Sequence, residues 1–177
     1  MRAAILTDTH GFELGEVPDP TPGPGELVLR VDACGICGSD IKARHHMPQG
    51  LVMGHEFAGE IVAVGTDVRD WRTGQRVASL PIIGCGTCPA CIAGEPSHCG
   101  TADLVGVGGS SGGYAEFVRV AARETFALPD GLDPRLGALT EPLAVGLHAV
   151  SRARLEPGTR VLIIGGGPVG LAIAVWA

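Results

Sequence analysis

Between Glu26 and Ala33 apolar and polar side chains alternate, with Leu27, Leu29, Val31 and Ala33 on one face and Arg30 and Asp32 on the other. A period of two marks a half-buried β-strand. Two further β-branched runs, 59–68 and 76–83, are bounded by glycine or proline and predict more strands. Residues 115–121 add another, entered through Gly112-Gly113. Ahead of the first good strand, Pro18, Pro20, Pro22 and Pro24 hold an extended loop.

After residue 132 the period changes. Asp133-Pro134 reads as a helix start, Asp as N-cap and Pro at the first helical position. Leu136 and Leu139 follow on one face, Pro142 is expected to interrupt, and Leu143, Leu147 and Val150 resume helical spacing. Beyond Pro157-Gly158, residues 160–164 form a strand without polar alternation, as expected where both faces are covered. A glycine loop and the apolar run 169–176 then open a helix. One strand and part of a helix cannot build a doubly wound sheet alone. The chain therefore reads as a β-rich domain, 1–145, joined to the first helix-strand-helix piece of an α/β domain, 146–177, and as a fragment of something longer.

Composition narrows the function classes. Apolar residues at 45% and charged residues at 18% exclude disorder. A net charge of -6 argues against nucleic acid, which needs a basic face. The uncharged stretch 161–177 approaches the minimum for a membrane span, but Gly165-Gly166-Gly167-Pro168 would break such a helix. Asp8 appears before any signal-peptide apolar region can form, so a cytoplasmic, reducing compartment is expected. There, closely spaced cysteines bind metal more often than they bridge.

Three constellations carry chemistry. Cys85-x2-Cys88-x2-Cys91-x7-Cys99 can bring four thiolates onto one ion, with Gly84, Gly86, Pro89 and Gly94 supplying the turns. Four sulfurs saturate tetrahedral zinc, which makes this a structural site; two disulfides or free buried thiols are the alternatives. Cys37, within Cys34-Gly35-Ile36-Cys37-Gly38-Ser39-Asp40, precedes Gly54-His55-Glu56 by a short interval. One thiolate, one imidazole and one carboxylate leave zinc more Lewis-acidic, with room for water or substrate. Cys34-x2-Cys37 also admits a thiol-disulfide reading, and a His beside a Glu is often a solvated surface pair. Gly165-x-Gly167-x-x-Gly170, after a buried strand and before an apolar helix, has the form of a dinucleotide fingerprint, the alternative being a glycine turn with no ligand.

Taken in order, these motifs resemble the zinc-dependent medium-chain dehydrogenase/reductase family, in particular its polyol, threonine and secondary-alcohol dehydrogenase branch. The resemblance covers nearly the whole chain but about half of a typical member. It implies a mainly β GroES-like barrel catalytic domain followed by the start of a Rossmann domain. It also implies two zinc ions, NAD or NADP, an alcohol or carbonyl substrate, and a homo-oligomer, dimer or tetramer, when intact. Carried over residue by residue, Cys37, His55, Glu56 and Glu141 would serve the catalytic zinc and Cys85, Cys88, Cys91 and Cys99 the structural one. Gly165, Gly167, Pro168, Val169 and Gly170 would hold the cofactor. Asp40 would orient His55, and Ser39 would pass a proton toward the cofactor ribose. Lys42 stands where many relatives continue that relay with histidine, so either His45 or His46 would substitute or the relay would end in water. Cys34 matches no ligand position. The competing reading is a zinc-stabilised β-module without turnover.

Overall fold

The computed structural model describes residues 1–177. Its centre is a five-stranded antiparallel sheet in the order β8-β3-β4-β5-β9, formed by Phe117–Ala121, Glu26–Gly35, Glu56–Val64, Arg76–Ser79 and Thr125–Ala127. Strands β1 (Arg2–Leu6) and β2 (Phe12–Glu16) form a hairpin that touches the rest through bridges Ala3–Ala115 and Ile5–Val52. The short pair β6 (Ile82–Ile83) and β7 (Asp103–Leu104) closes the base of a separate lobe. Of the alternation predicted for β3, the inward placement of Leu27 and Leu29 is realised, but Val28 between them is buried as well, beside a register shift against β4. Leu27 and Leu29 are fully buried and join Phe57, Ile61, Val77, Val118 and Val120 in one apolar core. The strand runs to Gly35, and its register against β4 shifts around Asp32, so the alternation fades toward the site end.

The 76–83 run is two strands rather than one, split at Leu80-Pro81, because proline cannot donate to a ladder. Asp133 caps as expected, its carboxylate accepting from the Arg135 N–H, but the first turns are 3₁₀ in form through Leu139. Pro142 does not interrupt. It is buried in the first turn of α3 (Thr140–Ala153), where a missing N–H costs no intrahelical bond. Helix α3 also runs without a break through the expected 145/146 domain boundary.

The strand expected at 160–164 is absent as a paired element: those residues carry no ladder, and Leu162 and Ile164 are 84% and 91% exposed. A buried parallel strand exists only by pairing with neighbours in a sheet, and no other strand of this chain lies beside it. The helix after it does form. Two short helices precede it, α1 (Gly38–Ala43) and α2 (Pro89–Ile92), and the last helix, α4 (Pro168–Trp176), packs against α3. That packing is close because Gly146 has no side chain; a Cβ there would lie 2.7 Å from the Ala172 Cβ. Trp176 completes the seam by donating its indole N–H to the Leu143 carbonyl at 2.9 Å.

Candidate active site

Strand β3 ends at Gly35, and the chain turns directly into α1 with Cys37 as N-cap. The Cys37 sulfur accepts the Ser39 N–H at 3.5 Å, while the Asp40 carboxylate accepts the Cys37 N–H at 2.9 Å. This reciprocal capping box fixes the direction of the Cys37 sulfur at the start of α1. Strand β4 starts at Glu56, antiparallel to β3 with Gly35 opposite it, and so brings His55 and Glu56 alongside Cys37. Donor atoms of Cys37, His55 and Glu56 all lie within 4.8 Å of one another. A thiol, an imidazole and a carboxylate that converge, with the thiol and carboxylate at the wall of a cleft, fit a zinc ion with an open position.

Glu141 is outside that trio. It sits in the first turn of α3, within the conformation that a residue before proline tends to avoid, and not at a bend beyond the helix. Its surroundings are still those of the site: burial raises its pKa, His55 opposes that, and the charges of Glu56 and Asp40 add to it.

Asp40 is almost sealed from solvent, at 2% exposure. Burial alone would raise its pKa, but the close approach of His55 and the hydrogen bond from Tyr114 outweigh this and hold it below the usual carboxylate range. Its Oδ1 faces His55 Nδ1 at 3.1 Å, off the line of a well-formed hydrogen bond, and neither atom has another partner. Such a face-to-face carboxylate and ring nitrogen is the arrangement that orients a metal-binding histidine through its second nitrogen. Asp40, foremost, lifts His55 to about 9, against the lowering effect of burial. In metal-free protein His55 is therefore protonated at neutral pH. A raised histidine pKa stabilises the fold fully below the unfolded value of about 6.5, and that contribution disappears as pH rises through about 9. Thermal melts of chelated protein should accordingly fall between those limits, and His55→Gln should flatten the slope; an unchanged slope would remove the pairing.

The other predicted site residues fall into place unevenly. Ser39 is exposed in the first turn of α1, as are Lys42, His45 and His46 farther along. The ring of His45 packs edge-on against His10, with centroids 5.1 Å apart. Cys34 is a partly buried thiol whose pKa burial pushes up to about 12, so it is inert as a nucleophile at neutral pH.

Between β6 and β7 the four cysteines gather with their sulfurs within 4.8 Å of one another. Cys88 caps α2 by accepting the Cys91 N–H at 3.5 Å. The Cys85 sulfur accepts the Cys88 N–H at 3.3 Å, and Cys99 accepts the Cys85 N–H at 3.5 Å. Amides aimed at sulfur favour the thiolate: Cys85 is lowered to about 5, chiefly by Thr87. Arg123 ties the lobe to the barrel, donating to the Cys91 carbonyl at 2.6 Å and the Gly86 carbonyl at 3.0 Å. This anchor and Tyr114 went unnoticed in the sequence, because each acts on residues far away along the chain.

At the other end, Gly167 is the N-cap of α4 and Pro168 its first residue, while Gly170 presses against the Gly165 carbonyl where no Cβ would fit. A cleft of about 520 Å³ is lined by Cys37, Gly38 and Glu56 and also by Gly165, Gly167, Pro168, Val169 and Gly170.

Known proteins resemble this chain along most of its length. Over 162 residues the chain is 40% identical to the L-galactonate-5-dehydrogenase of Escherichia coli (strain K12), covering 89% of this chain and 47% of that protein. It is 35% identical to the sorbitol dehydrogenase of Bacillus subtilis (strain 168), covering 97% and 50%. A solved structure described as a zinc-binding dehydrogenase from Sinorhizobium meliloti 1021, bound to NADP, superimposes with a TM-score of 0.86 at 39% identity, covering 97% and 51%. The chain thus spans about half the length of the relatives it matches. No helix in it is long and apolar enough to cross a membrane. Residues 23–130, which include both cysteine-bearing groups and the barrel that carries them, match the alcohol dehydrogenase GroES-like domain, and the chain belongs to that family.

Proposed function

We propose that the intact protein is a zinc-dependent oxidoreductase that moves hydride between an alcohol, a polyol or secondary alcohol, and NAD or NADP. One observation carries this reading: Cys37 and Glu56, two members of the thiol-imidazole-carboxylate group, line a single cleft together with the glycine loop. Cys37, His55 and Glu56, with Glu141 beside them, would hold the catalytic zinc, and the four-cysteine lobe a second, structural one. When bound, the catalytic ion supplies Lewis-acid stabilisation of charge on the substrate oxygen.

The chain's own residues do the rest. Asp40 holds the His55 ring by one nitrogen so that the other would be free to bind the ion, and the capping box sets the direction of the Cys37 sulfur. Ser39 Oγ, in the first turn of α1, would accept the proton leaving the alcohol hydroxyl while passing its own proton on toward the cofactor ribose. The glycine loop leaves its backbone bare and presents the N-terminus of α4 to the cofactor pyrophosphate, where the helix dipole favours negative charge. The relatives that act on L-galactonate and sorbitol by name support a polyhydroxylated substrate. Uncrosslinked thiols poised for metal are consistent with a reducing, cytoplasmic setting.

The test is a paired measurement on this chain and on a longer form: zinc content, nicotinamide titration, and alcohol-dependent reduction of NAD or NADP. Two zinc ions per chain and turnover in the longer form are expected. A longer form that binds cofactor yet never oxidises an alcohol would leave a zinc-stabilised β-module as the correct description.

A further inference from the structure

Asp40 offers two oxygens, and the role given to it above uses one. Its Oδ1 faces His55, while Oδ2 accepts the Cys37 N–H at 2.9 Å and the hydroxyl of Tyr114 at 2.8 Å. Tyr114 comes from the strap before β8, 74 positions along the chain. We propose that Tyr114 is a positioning residue of the metal centre: its hydroxyl pins the Asp40 carboxylate so that the opposite oxygen holds the His55 ring in its metal-binding orientation. This rests on the reading of Cys37, His55 and Glu56 as a zinc site.

The strap leaves the tyrosine little freedom. The Tyr114 N–H donates to the Met53 carbonyl at 2.9 Å, and its own carbonyl accepts the Ala4 N–H at 2.8 Å. Gly113 donates to the Gly54 carbonyl at 2.8 Å, so the strap is stitched to β1 on one side and to the residues leading into His55 on the other. The ring lies directly on Gly54, where a Cβ would meet Cδ1 of Tyr114 at 2.5 Å. Gly54 has φ +99°, a conformation open to glycine, and no other residue would leave room for the ring. Phe12 meets the ring edge-on at 5.9 Å. Burial, and next the hydrogen bond to Asp40, raise the tyrosine pKa above its ordinary value, so the hydroxyl keeps its proton and remains a donor. Without it Oδ2 would retain one amide partner, and the carboxylate could turn about its last side-chain torsion, which is broad and only loosely two-fold.

Groups that orient a metal-binding histidine typically contribute 10- to 100-fold to metal affinity. The experiment is a cobalt(II) titration of the metal-free 177-residue chain, followed by its visible d–d and sulfur-to-cobalt bands. Wild type should fill two spectrally distinct sites. In Tyr114→Phe, which keeps the ring on Gly54 and loses only the oxygen, the mixed-ligand site should weaken about tenfold with altered d–d bands. The four-sulfur site should not change, which separates this effect from general destabilisation. In an Asp40→Asn background the tyrosine substitution should add nothing, since the two act as one unit. Wild-type affinity and bands in Tyr114→Phe overturn the proposal, as does a tyrosine effect that persists at full size without the carboxylate. A wild-type chain that shows only four-sulfur bands defeats the metal-centre reading itself, and this inference with it.

Discussion

Replacing Cys37 by serine in an alcohol-oxidising, longer form should lower kcat/KM by about a thousandfold while leaving the melting temperature nearly unchanged. Lewis-acid stabilisation by a metal is worth several kcal/mol, and each 1.36 kcal/mol is tenfold in rate, so loss of a competent ion removes about three decades. The fold is spared because Cys37 is the N-cap of α1, a position that serine fills at least as well. Asp40 can still accept the backbone N–H of residue 37, and His55 still faces Asp40. Metal analysis should fall from two ions to one in step with the rate. Cys37→Ser with full activity, or with two ions still bound, would remove the cysteine from the ligand set.

Cys91→Ser is expected to do the reverse. Cys91 is fully buried in a lobe whose only regular ladder is the two-residue pair β6–β7, so the lobe has almost no apolar core of its own. Units of that kind depend on a metal or a disulfide for their folding energy. Loss of the ion should cost about 3 kcal/mol or more, which lowers the melting temperature of a domain this size by roughly 10 °C. Hydrogen exchange should rise first in residues 84–102, with the five-stranded sheet affected later. Equal zinc content and equal melting in the variant would mean that the four sulfurs are packed thiols and not ligands.

Much of the site was readable because its parts are local. Cys37 to Asp40 is one capping turn, and Cys85 to Cys99 is one loop, so residue type and spacing place each group together along the chain. The β3 core face was readable for the same reason, since Leu27 and Leu29 announce themselves by period. What escaped notice depends on distant neighbours. Tyr114 reaches Asp40, and Arg123 reaches Gly86 and Cys91, across gaps that no short motif spans. The apolar run at 160–164 has the composition of a buried strand, but a strand is a relation between segments, and here the partner is missing. Pro142 misleads in the opposite sense: the same residue that breaks a helix interior suits a helix start, and the position of that start is decided by the packing of the turn from Pro134 to Leu139 against β3 and β4.

The unbroken course of α3 has a practical consequence for protein engineering. Glu141 and Gly146 ride on the same rod, five residues apart and therefore about 7.5 Å along its axis, and Gly146 is where the helix behind the glycine loop leans on it. The span from acid to glycine loop is thus metered by helical pitch. Chimeras that exchange the C-terminal portion with a relative should be spliced ahead of Thr140, so that the ruler and both of its marks travel together; a splice between 145 and 146 would join two half-rulers with unmatched scales.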